Sequence, residues 1–285
     1  MKTSEPNLAL RTARHVPADR SASLTLFAAL TIVTAALVGP ASAAAIFALS
    51  YTSYTPGSVS ASYQDPTSAL GKPNPVSGLY ALTPFNAAFQ PSDLTGIGPG
   101  GSLTLKLSDP VTVGPGRELG IHAGVNLADA SVPNGQNRNP ASTFNFRASD
   151  VAVSADGNSW VDLGSFTFDL PTNFYDQGVT TPGQQTSVGP GAHEANFGKP
   201  FDGTLHDFDG KNWAGTLGVL DGSAGGKWLD VTPDQIGQFQ YVRFSVGTGQ
   251  VMFVDAVAAT PEPMAGGLVG AVAAALLLGR RRRRG

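Results

Sequence analysis

The chain has 285 residues, 35 of them glycine and 21 proline, with no cysteine and a formal charge of −3. The lack of cysteine excludes a disulfide framework, a Cys-type zinc site and a Cys nucleophile. The small net charge hides a partition, because Ala44 to Thr260 holds nine basic residues against eighteen acidic ones, a charge of −9. An acidic body repels nucleic acid and anionic head groups, so nucleic acid is not an expected partner.

Residues 1–20 are polar and net basic. They are followed by LTLFAALTIVTAALV, an uncharged apolar run from Leu24 to Val38, and then by GPASAAA. A basic start, an apolar run shorter than the ~20 residues of a spanning helix, and a small-residue A-x-A site describe a secretory signal peptide. The expected signal spans residues 1–43, with signal peptidase cutting between Ala43 and Ala44.

Residues 44–259 form the expected ectodomain. About 215 residues are enough for a core without disulfides, since chains of this size bury about 70% of their extended surface. Short apolar alternations separated by Gly, Pro, Asn, Asp and Ser predict an all-β sandwich or barrel. Asn74 to Thr95 is rich in turn formers and reads as a long surface loop. GSLTLKLSDPVTV, Gly101 to Val113, sets Leu103, Leu105 and Leu107 on one face of a strand and Thr104, Lys106 and Ser108 on the other.

SDVAVSADGNSWVDLGSF, Ser149 to Phe166, reads as a hairpin turning at Asp156-Gly157, where glycine tolerates positive φ and aspartate can bond its own backbone. Asn173 to Gly191 reads as a second surface loop, and Ala214 to Leu220 as a short helix between glycine-rich turns. Thr232-Pro233-Asp234-Gln235 carries the signature of a capped helical turn. QYVRFSV, Gln240 to Val246, alternates as a strand, and VMFVDAVAA, Val251 to Ala259, is the last strand expected before the tail.

The body offers little catalytic chemistry. Glycoside hydrolysis needs two acids across one sugar, but most aspartates here adjoin turn formers, and Glu118 and Glu194 are the body's only glutamates. No G-x-S-x-G elbow occurs in the body, and His122, His193 and His206 are scattered without the H-E-x-x-H spacing. No catalytic residue and no cofactor is expected. Calcium is the ion the oxygen-rich turns would take. Asp207, Asp209 and Asn212 lie in a D-x-D-G-x-N turn, without the remaining ligands of an EF-hand loop, and Val125 to Pro140 is a second oxygen-rich stretch. Trp160, Trp213, Trp228, Tyr51, Tyr54, Tyr63 and Tyr80 are the rings available to stack on a sugar.

The tail, residues 260–285, is the most specific feature. Pro261-Glu262-Pro263 precedes an uncharged run from Met264 to Leu278 and then Arg280, Arg281, Arg282, Arg283 and Arg284. The run makes a helix of about 22 Å against a hydrocarbon core of ~30 Å, a short transmembrane anchor. The arginines hold its end in the cytoplasm, which places the body outside. Gly266, Gly270 and Ala274 form a small-residue stripe that lets another helix approach closely.

This three-part order resembles a PEP-CTERM sorting signal, a tail found on exported bacterial proteins of exopolysaccharide producers. The resemblance implies recognition by an exosortase, a membrane-embedded protease-transpeptidase that cuts near the motif. Two prolines and one acid suit that role, because proline holds the chain extended and removes its backbone donors. SYQDPTSALGKPNP, GGSLTLKLSDPVTVGPGRELGIHAG, VAVSADGNSWVDLG, YVRFSV and FVDAVAA, in that order, resemble a surface-protein body of discoidin or galactose-binding type. That resemblance implies a jelly-roll-like β-sandwich and carries no activity and no binding residue.

The sequence thus points to an exported, non-enzymatic surface or matrix protein. It is expected to be membrane-anchored as a precursor, processed at its tail and associated with exopolysaccharide. A lectin-like, calcium-dependent module is the alternative.

Overall fold

The computed structural model describes residues 44–132, 134–145, 147–179 and 188–260. The expected signal peptide, the Pro-Glu-Pro motif, the apolar run and the arginine cluster lie outside the described residues. Among the described residues, no helix is long and apolar enough to cross a membrane.

The body is all-β with a single α-helix among the described residues. Its strands are β1 (Ile46–Thr55), β2 (Val76–Ser77), β3 (Tyr80–Ala81), β4 (Thr95–Ile97), β5 (Ser102–Thr112), β6 (Leu119–Ala123), β7 (Asn126–Leu127) and β8 (Thr143–Phe144). They continue as β9 (Arg147–Ser154), β10 (Val161–Phe168), β11 (Tyr175–Val179), β12 (Val188–Glu194), β13 (Lys227–Leu229), β14 (Gln238–Ser245) and β15 (Met252–Ala259). The helix α1 spans Trp213–Leu220.

Nine strands form one sheet in the order β10-β9-β14-β5-β1-β15-β6-β13, with β4 also on β15. The sheet turns at β1. Ile46 and Phe47 pair with Ala259 and Ala258, after which β1 leaves β15 and pairs with β5 from Ala48 to Thr55. β4 takes up the start of β15 instead, with Thr95 opposite Val254 and Ile97 opposite Met252. Leu103, Leu105 and Leu107 of β5, Val151 and Val153 of β9 and Val242 and Phe244 of β14 share a core with Leu119 and Ile121 of β6 and Val254 and Val257 of β15. The two halves of the sheet therefore face each other in a sandwich-like arrangement. Period-two alternation puts these residues inside, because successive side chains leave opposite faces of a strand.

Proline sits inside β5, where a missing N–H would break a central ladder. The register with β14 solves this by jumping from Lys106↔Tyr241 to Val111↔Phe239, so that Ser108, Asp109 and Pro110 bulge into solvent. The Gln240 side-chain amide then donates to the Leu107 carbonyl at 3.1 Å.

The Ser149 to Phe166 hairpin forms as β9 and β10. Its turn is set by Asp156, whose carboxylate accepts the N–H groups of Asn158 and Ser159 at 2.8 Å each, and by Gly157 at φ +77°. Asn212 caps α1 by accepting the Gly215 N–H at 2.9 Å, and Asp221 ends it in a left-handed conformation. At the Thr232 turn, the Gln235 N–H donates back to the Thr232 carbonyl at 3.0 Å.

Two expectations are corrected. Asn74 to Thr95 and Asn173 to Gly191 are not simply surface loops. The first holds the β2–β3 hairpin and buries Leu82, Phe85, Ala87, Ala88 and Leu94, and the second holds β11 and part of β12. Leu82, Ala88 and Leu94 pack with Phe174, Ala195 and Phe197, while Phe85, Phe201, Phe208, Leu220 and Trp228 form a further cluster. These irregular segments cover the outer face of β15, β6 and β13. That explains why both faces of β6 are buried along its length.

Candidate functional site

Thr260, the last described residue before the expected sorting tail, is held in place. The Thr260 N–H donates to the Glu118 carbonyl at 2.9 Å, and its hydroxyl donates to the Gly198 carbonyl at 2.8 Å. Pro261, Glu262, Pro263 and Arg280 to Arg284 follow outside the described residues, as does Ala43. Ala44, on the other side of the expected signal cut, is exposed and precedes β1 by two residues.

Beside Gly198 opens a cleft of about 500 Å³. Phe201 and Leu220 supply its buried lining, and Lys199, Asp202, Asp207, Lys211 and Asp221 its charged lining. Lys199 Nζ pairs with Asp221 Oδ2 at 2.6 Å, which holds that carboxyl below the usual range. Arg117 Nε pairs with Asp202 Oδ1 at 3.1 Å. Lys211 has no ion-pair partner among the described residues. The cleft thus offers both hydrogen-bond donors and acceptors beside an apolar patch.

The calcium candidates meet their neighbours separately. Asp207 Oδ2 accepts the Thr204 N–H at 2.6 Å and the Thr204 hydroxyl at 3.1 Å, and these bonds lower its pKa. Asp209 Oδ1 accepts the Ala141 N–H at 2.7 Å, and Asn212 is the cap of α1. The structure does join the two oxygen-rich stretches. Gly210 N–H donates to the Arg138 carbonyl at 2.8 Å, and the Gln136 amide donates to the Gly210 carbonyl at 2.6 Å. Asp129 closes its own loop by accepting three N–H groups, from Ser131, Gly135 and Gln136. Among the described residues, no group of three His, Asp or Glu side chains is placed to hold one metal ion.

The histidines stand apart. His122 is fully buried on β6, with Nδ1 3.3 Å from the Thr172 hydroxyl and Nε2 without a partner, and burial pushes its pKa down to about 3. His193 pairs with Asp176 at 2.8 Å at the surface, and His206 lies 3.6 Å from Asp209.

Most of the aromatic candidates are occupied. Trp228 is buried and donates its indole N–H to the Gly225 carbonyl at 3.0 Å. Trp213 packs on the cluster around Phe85, 6.2 Å between centroids. Tyr54 and Tyr63 donate their hydroxyls to the carbonyls of Gly96 and Phe89 at 2.6 and 2.7 Å. Tyr80 lies 6.4 Å from Phe89. Trp160 carries the Arg243 guanidinium 4.2 Å from its ring, and Tyr51 stays exposed.

Sequence reasoning missed one pair, Asp93 and Asp255. Asp255 sits where β15 slips register against β6, between Val254↔Ala123 and Ala256↔His122. Asp93 precedes β4, two residues before Thr95, which pairs with Val254. Asp93 Oδ2 accepts the Ser77 hydroxyl at 2.5 Å, and Oδ1 accepts from Asn74 and Ser92 at 2.9 and 3.1 Å. Asp255 Oδ2 has no partner. Burial first, and the Asp93 charge second, raise the Asp255 pKa well above the aspartate range. The available signal was a lone acid inside the apolar run VMFVDAVAA.

Compared with known proteins, the chain matches no family model, and its sequence matches no curated relative.

Proposed function

We propose that this chain is an exported, non-enzymatic surface or matrix protein. An exosortase sorts and cuts it at Pro261-Glu262-Pro263, and the released body associates with exopolysaccharide. The observation that carries the reading is the order of the tail, read together with the hold on Thr260. A motif, an apolar run and five arginines follow directly after a residue fixed by two hydrogen bonds. A cut within the motif leaves β15 and every other described strand whole. In the precursor, the signal peptide directs export and the arginine stop retains the tail until cutting.

Mass spectrometry of the mature C-terminus tests this. A chain ending between Pro261 and Pro263 supports the reading, and one ending at Gly285 overturns it. Glu262→Ala is expected to leave the protein full-length in the membrane.

A second reading follows from the cleft beside Gly198. A jelly-roll-like body with an apolar patch under Lys199, Lys211 and Asp221 suits the hydroxyls of a neutral saccharide, which need donors and acceptors together. A glycan array on the processed protein decides this. Loss of a hit in Lys211→Ala would assign it to the cleft.

A further inference from the structure

We propose that the open face of the β10-β9-β14-β5-β1 half of the sheet is the surface on which an acidic polysaccharide lies, with Lys106 and Arg243 taking its carboxylates. The proposal rests on the reading that the body associates with exopolysaccharide, and adds to it a site and a class of sugar. The β15, β6 and β13 half is covered by irregular segments, whereas Ser53, Thr55, Asp150, Asp162 and Ser165 of this half are exposed. Leu103, Leu105, Val242 and Phe244 turn into the core, so alternation sends Thr104, Lys106, Tyr241 and Arg243 outward. Arg243 lies between Ala152 and Thr104, and Ser53 comes next, its hydroxyl donating to Thr104 Oγ1 at 3.0 Å. In the adjoining row Lys106 lies between Tyr241 and Ser50, and in the row on the other side Ser245, Ser102 and Thr55 stand in line. Lys106 and Arg243 are thus diagonal neighbours on adjacent strands, about 7–8 Å apart at their backbones.

Both cations are laid over aromatic rings. Lys106 Nζ is 5.5 Å from the centre of the Tyr241 ring, and the Arg243 guanidinium is 4.2 Å from that of Trp160. A ring beneath a long basic side chain removes part of its freedom and its water before a ligand arrives, which lowers the cost of pairing with an anion. Lys106 has no ion-pair partner among the described residues, and Arg243 has Asp162 at 3.9 Å, an exposed carboxylate. Charge then selects the occupant. β1 and β14 contain no acid, and the one acid of β5, Asp109, lies in the solvent bulge beside Pro110. Asp150 and Asp162 stand at the β9–β10 margin, where Asp150 accepts the Ser165 hydroxyl. The rest of a body charged −9 repels a polyanion, so an acidic chain finds its attraction on β14 and β5. The serine and threonine hydroxyls beside the cations both donate and accept, as sugar hydroxyls require. A neutral sugar would look for bare ring faces, and here the cations lie over them. None of these strands lines the cleft beside Gly198.

Affinity electrophoresis of the exported protein, cut or uncut at its tail, through gels carrying polygalacturonate or neutral dextran tests the proposal. Polygalacturonate should retard the protein, less so as salt is raised, and dextran should not. Arg243→Gln should weaken retention about tenfold, the value of a lost charge-assisted hydrogen bond. Lys106→Gln should act in the same direction and provides the test should the Arg243 variant fail to fold. Lys106→Arg should keep retention, and so should Lys72→Gln, which removes a cation elsewhere on the surface. No retardation by polygalacturonate at low salt would overturn the proposal. So would retardation that survives both Gln variants, or equal retardation by single-stranded DNA. Retardation by dextran alone would overturn the acidic class while leaving association with exopolysaccharide standing. Retardation by neither polymer would count against both, and cutting at the tail is read separately from the mature C-terminus.

Discussion

Thr260 is bound to Glu118 across the foot of β6, its N–H 2.9 Å from the Glu118 carbonyl. Glu118 is itself buried, and its carboxylate accepts the N–H groups of Gly114 and Val231 at 3.2 Å each. The residue preceding the motif therefore hangs on a glutamate that ties three segments together. Under the proposed processing, an enzyme cutting at Pro261 to Pro263 would act within three residues of a position fixed to the body. Inserting a short Gly-Ser spacer after Thr260 should leave the melting midpoint unchanged and speed processing in a pulse-chase experiment. Slower processing would mean that the enzyme reads the body as well as the motif.

His122 gives a pH dependence of definite sign. Burial depresses its pKa from 6.5 to about 3, so the folded protein keeps it neutral while the unfolded chain takes up a proton. Its contribution to stability is full above pH 6.5 and is lost as the pH falls from 6.5 towards 3. His122→Gln removes that dependence. The stability difference between wild type and the variant should shrink with acidification, which denaturant titrations across this range would measure. A constant difference would show that the ring is not buried neutral.

Gly120 is needed for space. A Cβ there would come 2.7 Å from Trp228 Cζ2, with no unusual φ involved. Gly120→Ala should destabilise by about 1–3 kcal/mol through overpacking. Combining it with Trp228→Phe should recover part of the loss, because the smaller ring yields the space. Strict additivity in urea unfolding would exclude the contact as the cause.

Trp160 and Arg243 form a half-buried pair. Trp160→Ala should cost about 1–2 kcal/mol, the range of a partly desolvated cation–π contact. A loss well above that range in chemical denaturation would mean that the ring also seals Thr104 and Ala152, the buried neighbours of Arg243 in the sheet.

Legibility followed periodicity. β5, β14 and the β9–β10 hairpin were visible because one face of each is buried and the other is largely polar, so the sequence alternates. The layer over β15 and β6 was hidden for the opposite reason. Leu82, Phe85, Ala88 and Leu94 are buried from irregular backbone, where apolar residues follow no period and turn formers dominate. Asp255 was hidden inside an apparently regular strand, since a register slip leaves no mark in residue type. At the D-x-D-G-x-N turn the sequence showed oxygens close in number, but their direction depends on which N–H groups the fold brings near. Thr204, Ala141 and Gly215 lie on three different segments.

The pairing of Ile46 with Ala259 also decides how the body carries load. While the chain is held at both ends, tension pulls two antiparallel neighbours apart from the same side. Their hydrogen bonds then open one after another, as in a zipper. Once the leading segment is gone, tension between the tail and anything gripping the body runs along β15 instead. There β1 and β4 on one edge and β6 on the other resist together, in shear. If the expected leader is removed, a weak mechanical attachment becomes a strong one with the strand pairing of the body unchanged.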